Sequence, residues 1–273
     1  MTAQIHPLAF VDPSAKLGDG VRVGPFAVIG PGVEIGDGTE IGAGAQLYGP
    51  AKIGRENRIH PQAAIGFEPQ DLKYRGEEVS LEIGDCNQFR EFCTIHCGTA
   101  KGGGVTRVGS DGLFMAYTHI GHDCQVGSRI VFANNATLAG HVEVHDDANV
   151  SAFTSVHQFC RVGRHAYVGG YTVAIMDVLP FVKTVGQKPA CYGLNSIGLK
   201  RKGFDAEQVR RLELAYRILV RSKLNTPQAV ERLKAELAGD PDVDYLIAFV
   251  ESSQRGIHKS VPRGGGRGGG EPE

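Results

Sequence analysis

Ile29-Gly30-Pro31-Gly32-Val33-Glu34-Ile35-Gly36-Asp37-Gly38-Thr39-Glu40-Ile41-Gly42 restarts every six residues: an aliphatic anchor, then glycine, then an apolar or small residue four places beyond the anchor. Outward from this stretch the rhythm holds in both directions. Ile5, Val11, Leu17 and Val23 precede it in phase, and Leu47, Ile53, Ile59 and Ile65 follow. Ile83, Phe89 and Ile95 rejoin after an interruption. After a second interruption the phase shifts by one and runs through Val108, Phe114, Ile120, Val126, Phe132, Leu138, Val144, Val150, Val156 and Val162 to Val168. Such a period fits neither an α-helix nor an alternating strand, and marks a repeat architecture.

Each six-residue unit offers one bulky and one mostly small inward residue, as in Ala27, Val33, Thr39, Ala45, Cys124, Ala136, Ala148 and Ala166. That pattern suits a short flat strand ended by a sharp corner where Gly, Asn or Asp accepts positive φ. Three sides close a triangular coil of eighteen residues. Coils then stack as parallel strands about 4.8 Å apart, with equivalent side chains in columns. A β-sandwich would not place its turns at so fixed an interval. Right-handed crossovers are the rule for parallel strands, and the period itself does not set the hand.

The chain has 273 residues, a net charge of −1 and no Trp, which suits one elongated solenoid with an appendage. Few aromatics and many glycines match a thin core of Val, Ile and Ala. Nucleic-acid binding is not expected at this charge. Met1 to Pro7 has no charged head or apolar run, so no signal peptide is expected, and no stretch is apolar enough to span a membrane. A cytoplasmic protein is the expectation. Cys93, Cys124 and Cys160 fall on inward positions and suggest reduced core thiols rather than a zinc knuckle.

The organisation follows. Residues 1–190 form the β-solenoid, broken by two loops at about 67–80 and 98–107 that should project on one face. Residues 191–258 form a helical C-terminal domain that caps the open end of the coil. Asp205 and Gln208 make a capping box, Thr226-Pro227 opens a second helix that ends near Gly239, and a third runs from about Asp242 to Ser253. Residues 259–273 are a Gly-rich tail expected to be disordered.

Residues one coil apart stack, which places His122, Gly140 and Gln158 in one column. His141 and His157 lie one step from it, and His119 lies three residues before His122. A neutral imidazole there would serve as general base. Three imidazoles with an open position would equally hold zinc. Gly140 allows close backbone approach, so its N–H would serve an oxyanion. Asn195, with Lys200, Arg201 and Lys202, suits a phosphorylated ligand.

Several motifs carry a resemblance over about residues 2–257. They are Pro69-Gln70-Asp71-Leu72-Lys73-Tyr74, His119-Ile120-Gly121-His122-Asp123-Cys124, and Asn134-Asn135-Ala136-Thr137-Leu138-Ala139-Gly140-His141. Val156-His157-Gln158-Phe159 and Asn195-Ser196-Ile197-Gly198-Leu199-Lys200-Arg201 complete the set. Together they resemble the UDP-N-acetylglucosamine O-acyltransferase family of lipid A biosynthesis. The resemblance implies an all-β solenoid, a left-handed parallel β-helix of hexapeptide repeats, with a C-terminal α-helical cap. It also implies transfer of an (R)-3-hydroxyacyl chain from acyl carrier protein to the glucosamine 3-hydroxyl of UDP-N-acetylglucosamine.

By that resemblance His122 would be the general base, Asp123 its orienting neighbour and the Gly140 amide the oxyanion donor. Gln70, Asp71, Lys73, His119, His141, His157, Gln158, Asn195 and Arg201 would bind substrates. Tyr167 and Gly170 would form the acyl-chain ruler, with glycine leaving room for a long chain. The family implies a homotrimer with the site between neighbouring solenoids. It implies no metal and no cofactor of its own, since the donor rides on the phosphopantetheine of acyl carrier protein. Lys202 departs from the second arginine common at its position, which puts its phosphate role in doubt. Competing readings are an acyltransferase acting on a UDP-2,3-diamino sugar, a zinc-dependent γ-class carbonic anhydrase, and a non-enzymatic scaffold or ice-binding surface. Mixed outward positions, rather than Thr columns, speak against ice binding.

Overall fold

A computed structural model describes residues 2–262. Short strands, Gln4–Ile5, Phe10–Val11, Lys16–Leu17 and onward to Val173–Ala174, form the sides of triangular coils. Each strand pairs with its equivalent one coil later, so Gln4 lies against Arg22 and Arg22 against Glu40. The result is three long sheets: a first face of eleven strands, a second of nine and a third of eight. Stacking puts the anchors in buried columns. On the first face Val23, Ile41, Ile59, Phe89, Phe114, Phe132, Val150 and Val168 all point inward. Within that column the Phe89 and Phe114 rings stack at 4.9 Å.

Most corners turn on a residue of positive φ. The first corner, after the first face, uses Gly44, Gln62, Phe92, Tyr117, Asn135, Phe153 and Tyr171. The second corner uses Gly32, Asp123, His141 and Phe159. The third uses Gly20, Gly38, Glu56, Asp111, Arg129, Asp147 and His165.

Both interruptions leave the coil at the second corner. The first loop spans 68–79, between strands Ala64–Phe67 and Ser80–Ile83. The second spans 97–104, between Thr94–His96 and Val105–Val108. It is shorter than the expected 98–107, because Val105 and Thr106 already pair with Ser80 and Leu81.

Strand Val182–Val185 pairs antiparallel with Ala190–Leu194, so a hairpin crosses the expected boundary at 190. Among the described residues four α-helices follow, α1 (Ser196–Arg201), α2 (Ala206–Tyr216), α3 (Thr226–Leu237) and α4 (Pro241–Glu251), with a π-helical turn at Arg217–Arg221 after α2. The short α1 carries no sequence period and was not anticipated. Helix α2 opens on the Asp205–Gln208 capping box. Asn225, rather than Thr226, caps α3: its Oδ1 accepts from Gln228 N at 3.0 Å, and Thr226 is already helical. Leu212, Tyr216, Leu233 and Leu246 pack on Leu179, Phe181 and Leu194, which covers the coil's open end. The tail expectation falls mostly on 263–273, outside the described residues. Lys259 to Pro262 are placed, and the Ser260 carbonyl accepts from Cys191 N at 2.7 Å.

Candidate active site

The second corner gathers the chemistry, and the stacking rule explains how. His122 begins the corner that follows strand His119–Ile120, and Asp123 takes its positive-φ position. One coil later Gly140 lies beneath His122, and His141 beneath Asp123. A Cβ added to Gly140 would sit 2.5 Å from His122 Cε1 and 2.7 Å from Nε2, so the ring lies on the glycine and no larger residue fits unless the ring moves.

Asp123 is the organising group. Buried in the corner, its Oδ1 accepts from Thr99 N at 2.7 Å, and its Oδ2 from Thr99 Oγ1 at 2.7 Å. Its own N–H donates to Thr106 Oγ1 at 2.8 Å. The same Oδ2 lies 2.7 Å from His122 Nδ1. A carboxylate only accepts, so Nδ1 carries the proton and Nε2 keeps its lone pair. That is the tautomer a general base needs.

Gly102 of the second loop presses on the same carboxylate: a Cβ there would fall 2.1 Å from Asp123 Cγ. Thr99, Thr106 and Gly102 were missed by sequence reasoning. The second loop had no period to read, and its one clue was its place one coil before Asp123.

His141 Nε2 lies 3.5 Å from Asp123 Oδ2, and its ring stacks on Phe159 at 4.5 Å. Burial holds its pKa below the usual imidazole range, opposed by the carboxylates of Asp123 and, from the first loop, Asp71. His119 accepts from or donates to Thr94 Oγ1 at 2.8 Å through Nδ1. Burial, with His96 and His122 nearby, pushes its pKa down to about 4, so it is neutral at pH 7. His96, also missed, is buried beside it with ring centroids 5.4 Å apart. Its Nδ1–H donates to the Glu68 carbonyl at 2.5 Å, which ties the first loop to the coil.

Backbone N–H groups at this corner step out of the ladder. Among the described residues those of His122, Gly140 and Gln158 meet no acceptor. The Gly140 N–H, buried beside the His122 ring, thus has no protein acceptor and is a donor an oxyanion could use.

The remaining expected residues are more scattered. Gln70 and Lys73 are exposed on the first loop, where Asp71 Oδ1 accepts from Lys73 N at 3.0 Å. Leu72 beside them is 95% exposed. His157 and Gln158 are exposed at the second corner, further along the coil.

Asn195 and Arg201 are not brought to His122. Asn195 caps α1, and its Nδ2 donates to the carbonyl of His165 at the third corner, 3.1 Å away. Arg201 is exposed at the end of α1, while Lys202 pairs with Asp147 at 2.6 Å. Tyr167 lies on the first face and Gly170 beside the first corner, where an added Cβ would meet only Ala152 O at 3.3 Å.

His122, Asp123 and His141 form a group whose ligand atoms lie within 4.8 Å of one another. It fits zinc poorly. The carboxylate's oxygens are already filled by Thr99 and His122, and the His122 Nδ1 that faces them carries a proton.

Comparison with known proteins agrees with this geometry. A model for bacterial transferase hexapeptide repeats matches residues 14–49 and 32–66. A model for UDP-N-acetylglucosamine O-acyltransferase, domain 2, matches 177–258. The acyl-[acyl-carrier-protein]–UDP-N-acetylglucosamine O-acyltransferase of Anaeromyxobacter sp. (strain K) is 51% identical over 93% of this chain and 98% of that protein. Its counterpart in Myxococcus xanthus is 50% identical over 93% and 99%. Among solved structures, the UDP-N-acetylglucosamine acyltransferase of Francisella novicida superposes with a TM-score of 0.91 at 41% identity, covering 93% of each chain. That of Bacteroides fragilis gives 0.91 and 41% over 93% of this chain and 99% of its own. The likeness also supplies the hand that the period leaves open: the coil is a left-handed parallel β-helix. With both family models, near-complete coverage and the second-corner geometry in agreement, the chain belongs to the UDP-N-acetylglucosamine O-acyltransferase family.

Proposed function

We propose that this protein transfers an (R)-3-hydroxyacyl group from acyl carrier protein to the glucosamine 3-hydroxyl of UDP-N-acetylglucosamine, the first step of lipid A biosynthesis, in the cytoplasm. The observation that carries the mechanism is the line from Thr99 through Asp123 to His122, with the unpartnered Gly140 N–H beside it. His122 Nε2 takes the proton of the 3-hydroxyl as its oxygen attacks the thioester carbon. The imidazolium that forms is stabilised by Asp123 across Nδ1–H. The tetrahedral oxyanion receives the Gly140 N–H. Its collapse expels the phosphopantetheine thiolate, which takes the proton back from His122. No cofactor of the protein's own enters these steps.

Asp71, Gln70 and Lys73 on the first loop, with His119, His141, His157 and Gln158, line the acceptor and donor sites in this reading. Asn195 and Arg201 sit toward another corner of the same chain, so they reach the nucleotide phosphates only from a neighbouring copy. A homotrimer with sites between solenoids meets that requirement, and the exposed Leu72 loop suits burial against a neighbour. Tyr167 and Gly170 serve as the ruler at the far end of the acyl chain.

The test is acyl transfer from a set of 3-hydroxyacyl carrier proteins to UDP-N-acetylglucosamine and to its 3-amino analogue. Wild type should acylate the 3-hydroxyl. His122→Ala should fold and assemble normally but lose at least ~100-fold in rate. Near-normal turnover by the variant would sink the assignment of the base, and sole use of the amino sugar would sink the acceptor.

A further inference from the structure

The chain beyond α4 doubles back onto the second corner. Asp177 N donates to the Gly256 carbonyl and His258 N to the Asp177 carbonyl, both at 2.9 Å. The His258 Nε2 accepts from Ile175 N and Met176 N, at 3.2 Å each. The buried Asp177 carboxylate accepts from Ser253 Oγ and Arg161 Nη2, both at 2.8 Å. These bonds fix a short return segment on the coil that follows His157-Gln158-Phe159. Arg255 emerges from it with Nη2 3.2 Å from His157 Nδ1 and 3.4 Å from the Ile175 carbonyl.

His157 Nδ1 faces two partners that demand opposite things. The Gln158 carbonyl, 3.1 Å away, would accept a proton from Nδ1. Arg255 has donors only, so it bonds Nδ1 only when that atom is bare. A neutral ring satisfies one partner, and the choice sets the other nitrogen. A charge-assisted bond is roughly twice as strong as a neutral one, which favours Arg255.

We propose that Arg255 is a positioning residue that holds His157 as its Nε2–H tautomer, so that the exposed side of the ring presents a hydrogen-bond donor to an oxygen of the bound substrate. This rests on reading His157 as substrate-binding. Without Arg255, Nδ1 takes the proton and turns it to the Gln158 carbonyl. Nε2 becomes an acceptor, and the contact to a substrate oxygen turns repulsive.

The experiment uses the full chain with nitrogen-15-labelled histidines, the His157 signals being those lost in His157→Gln. Wild type should show a protonated Nε2 and a bare Nδ1. Arg255→Ala should exchange the two, and Arg255→Lys, which keeps a cationic donor, should restore much of the original pattern. In steady-state kinetics Arg255→Ala should raise KM for UDP-N-acetylglucosamine about tenfold with a smaller change in kcat. Added to His157→Gln, it should cost nothing further. A protonated Nδ1 in wild type, or an unchanged pattern in Arg255→Ala, overturns the proposal whatever the kinetics. Unaltered KM and kcat in His157→Gln would instead overturn the substrate-binding reading on which its functional half depends.

Discussion

The N-terminal coils and the coils that carry the site are built on one backbone yet turn their corners differently. Gly20, Gly32, Gly38 and Gly44 take the positive φ in the early coils, with Phe26 an exception. From Glu56 onward, non-glycine residues take it at the corners, among them Asp123, Asn135, His141, Asp147, Phe153, Phe159 and His165, these seven with φ between 55° and 64°. An L-residue in that region costs about 1–2 kcal/mol, and such strain collects where function requires a side chain. The early coils solve only the fold. The later ones accept strain, and Asp123 and His141 are the return on it.

Substitution at two glycines would break this comparison most visibly. Gly140→Ala would press a methyl group into the His122 ring, and about 100-fold in rate should be lost as the proposed base and oxyanion donor are displaced. Gly20, at φ +69°, has nothing within 4 Å of an added Cβ. Gly20→Ala should therefore leave the rate unchanged and be felt only in the melting temperature. Equal rate losses in the two variants would show that corner glycines act through stability alone.

A smaller effect should come from the loop behind the site. Thr99→Val removes the hydroxyl that holds Asp123 Oδ2, and about a tenfold fall in kcat with little change in KM is expected. A KM effect instead would mean that the second loop contacts substrate directly.

Acid should separate the regions next. Burial depresses His96, His119, His165 and His258, with His119 at about 4 against an ordinary 6.5. The unfolded chain then binds more protons than the native one between those values. Stability is full above about pH 6.5 and falls as pH drops toward 4. The early coils hold no buried histidine among the described residues. Hydrogen exchange at pH 5 should therefore loosen the coils around His96 and His119 before those around Val21 to Leu47. A uniform loss of protection would break the contrast. The smallest effect is Gly20→Ala itself, about 1 kcal/mol of stability, read by denaturant melting.

Legibility followed the repeat. The six-residue period named the anchors and stacked His122 over Gly140, and the Asp205–Gln208 pair marked the start of α2. It did not find Thr99 or Gly102 around Asp123, nor His96 against Glu68, because those contacts pass through inserted loops whose paths obey no period. The Arg255–His157 contact joins residues 98 apart across a returning tail, and no local pattern announces it.

By itself, then, the sequence determined the solenoid, its inward columns and the line of residues along the second corner, since parallel stacking converts a fixed period directly into spatial neighbours. Only the tertiary structure decided which of those residues act together. The insertions supply the donors that orient Asp123, and a carboxylate filled by Thr99 sets the proton on His122 Nδ1. Which nitrogen of a ring is bare depends on hydrogen bonds between distant segments, and those exist only once the chain has folded.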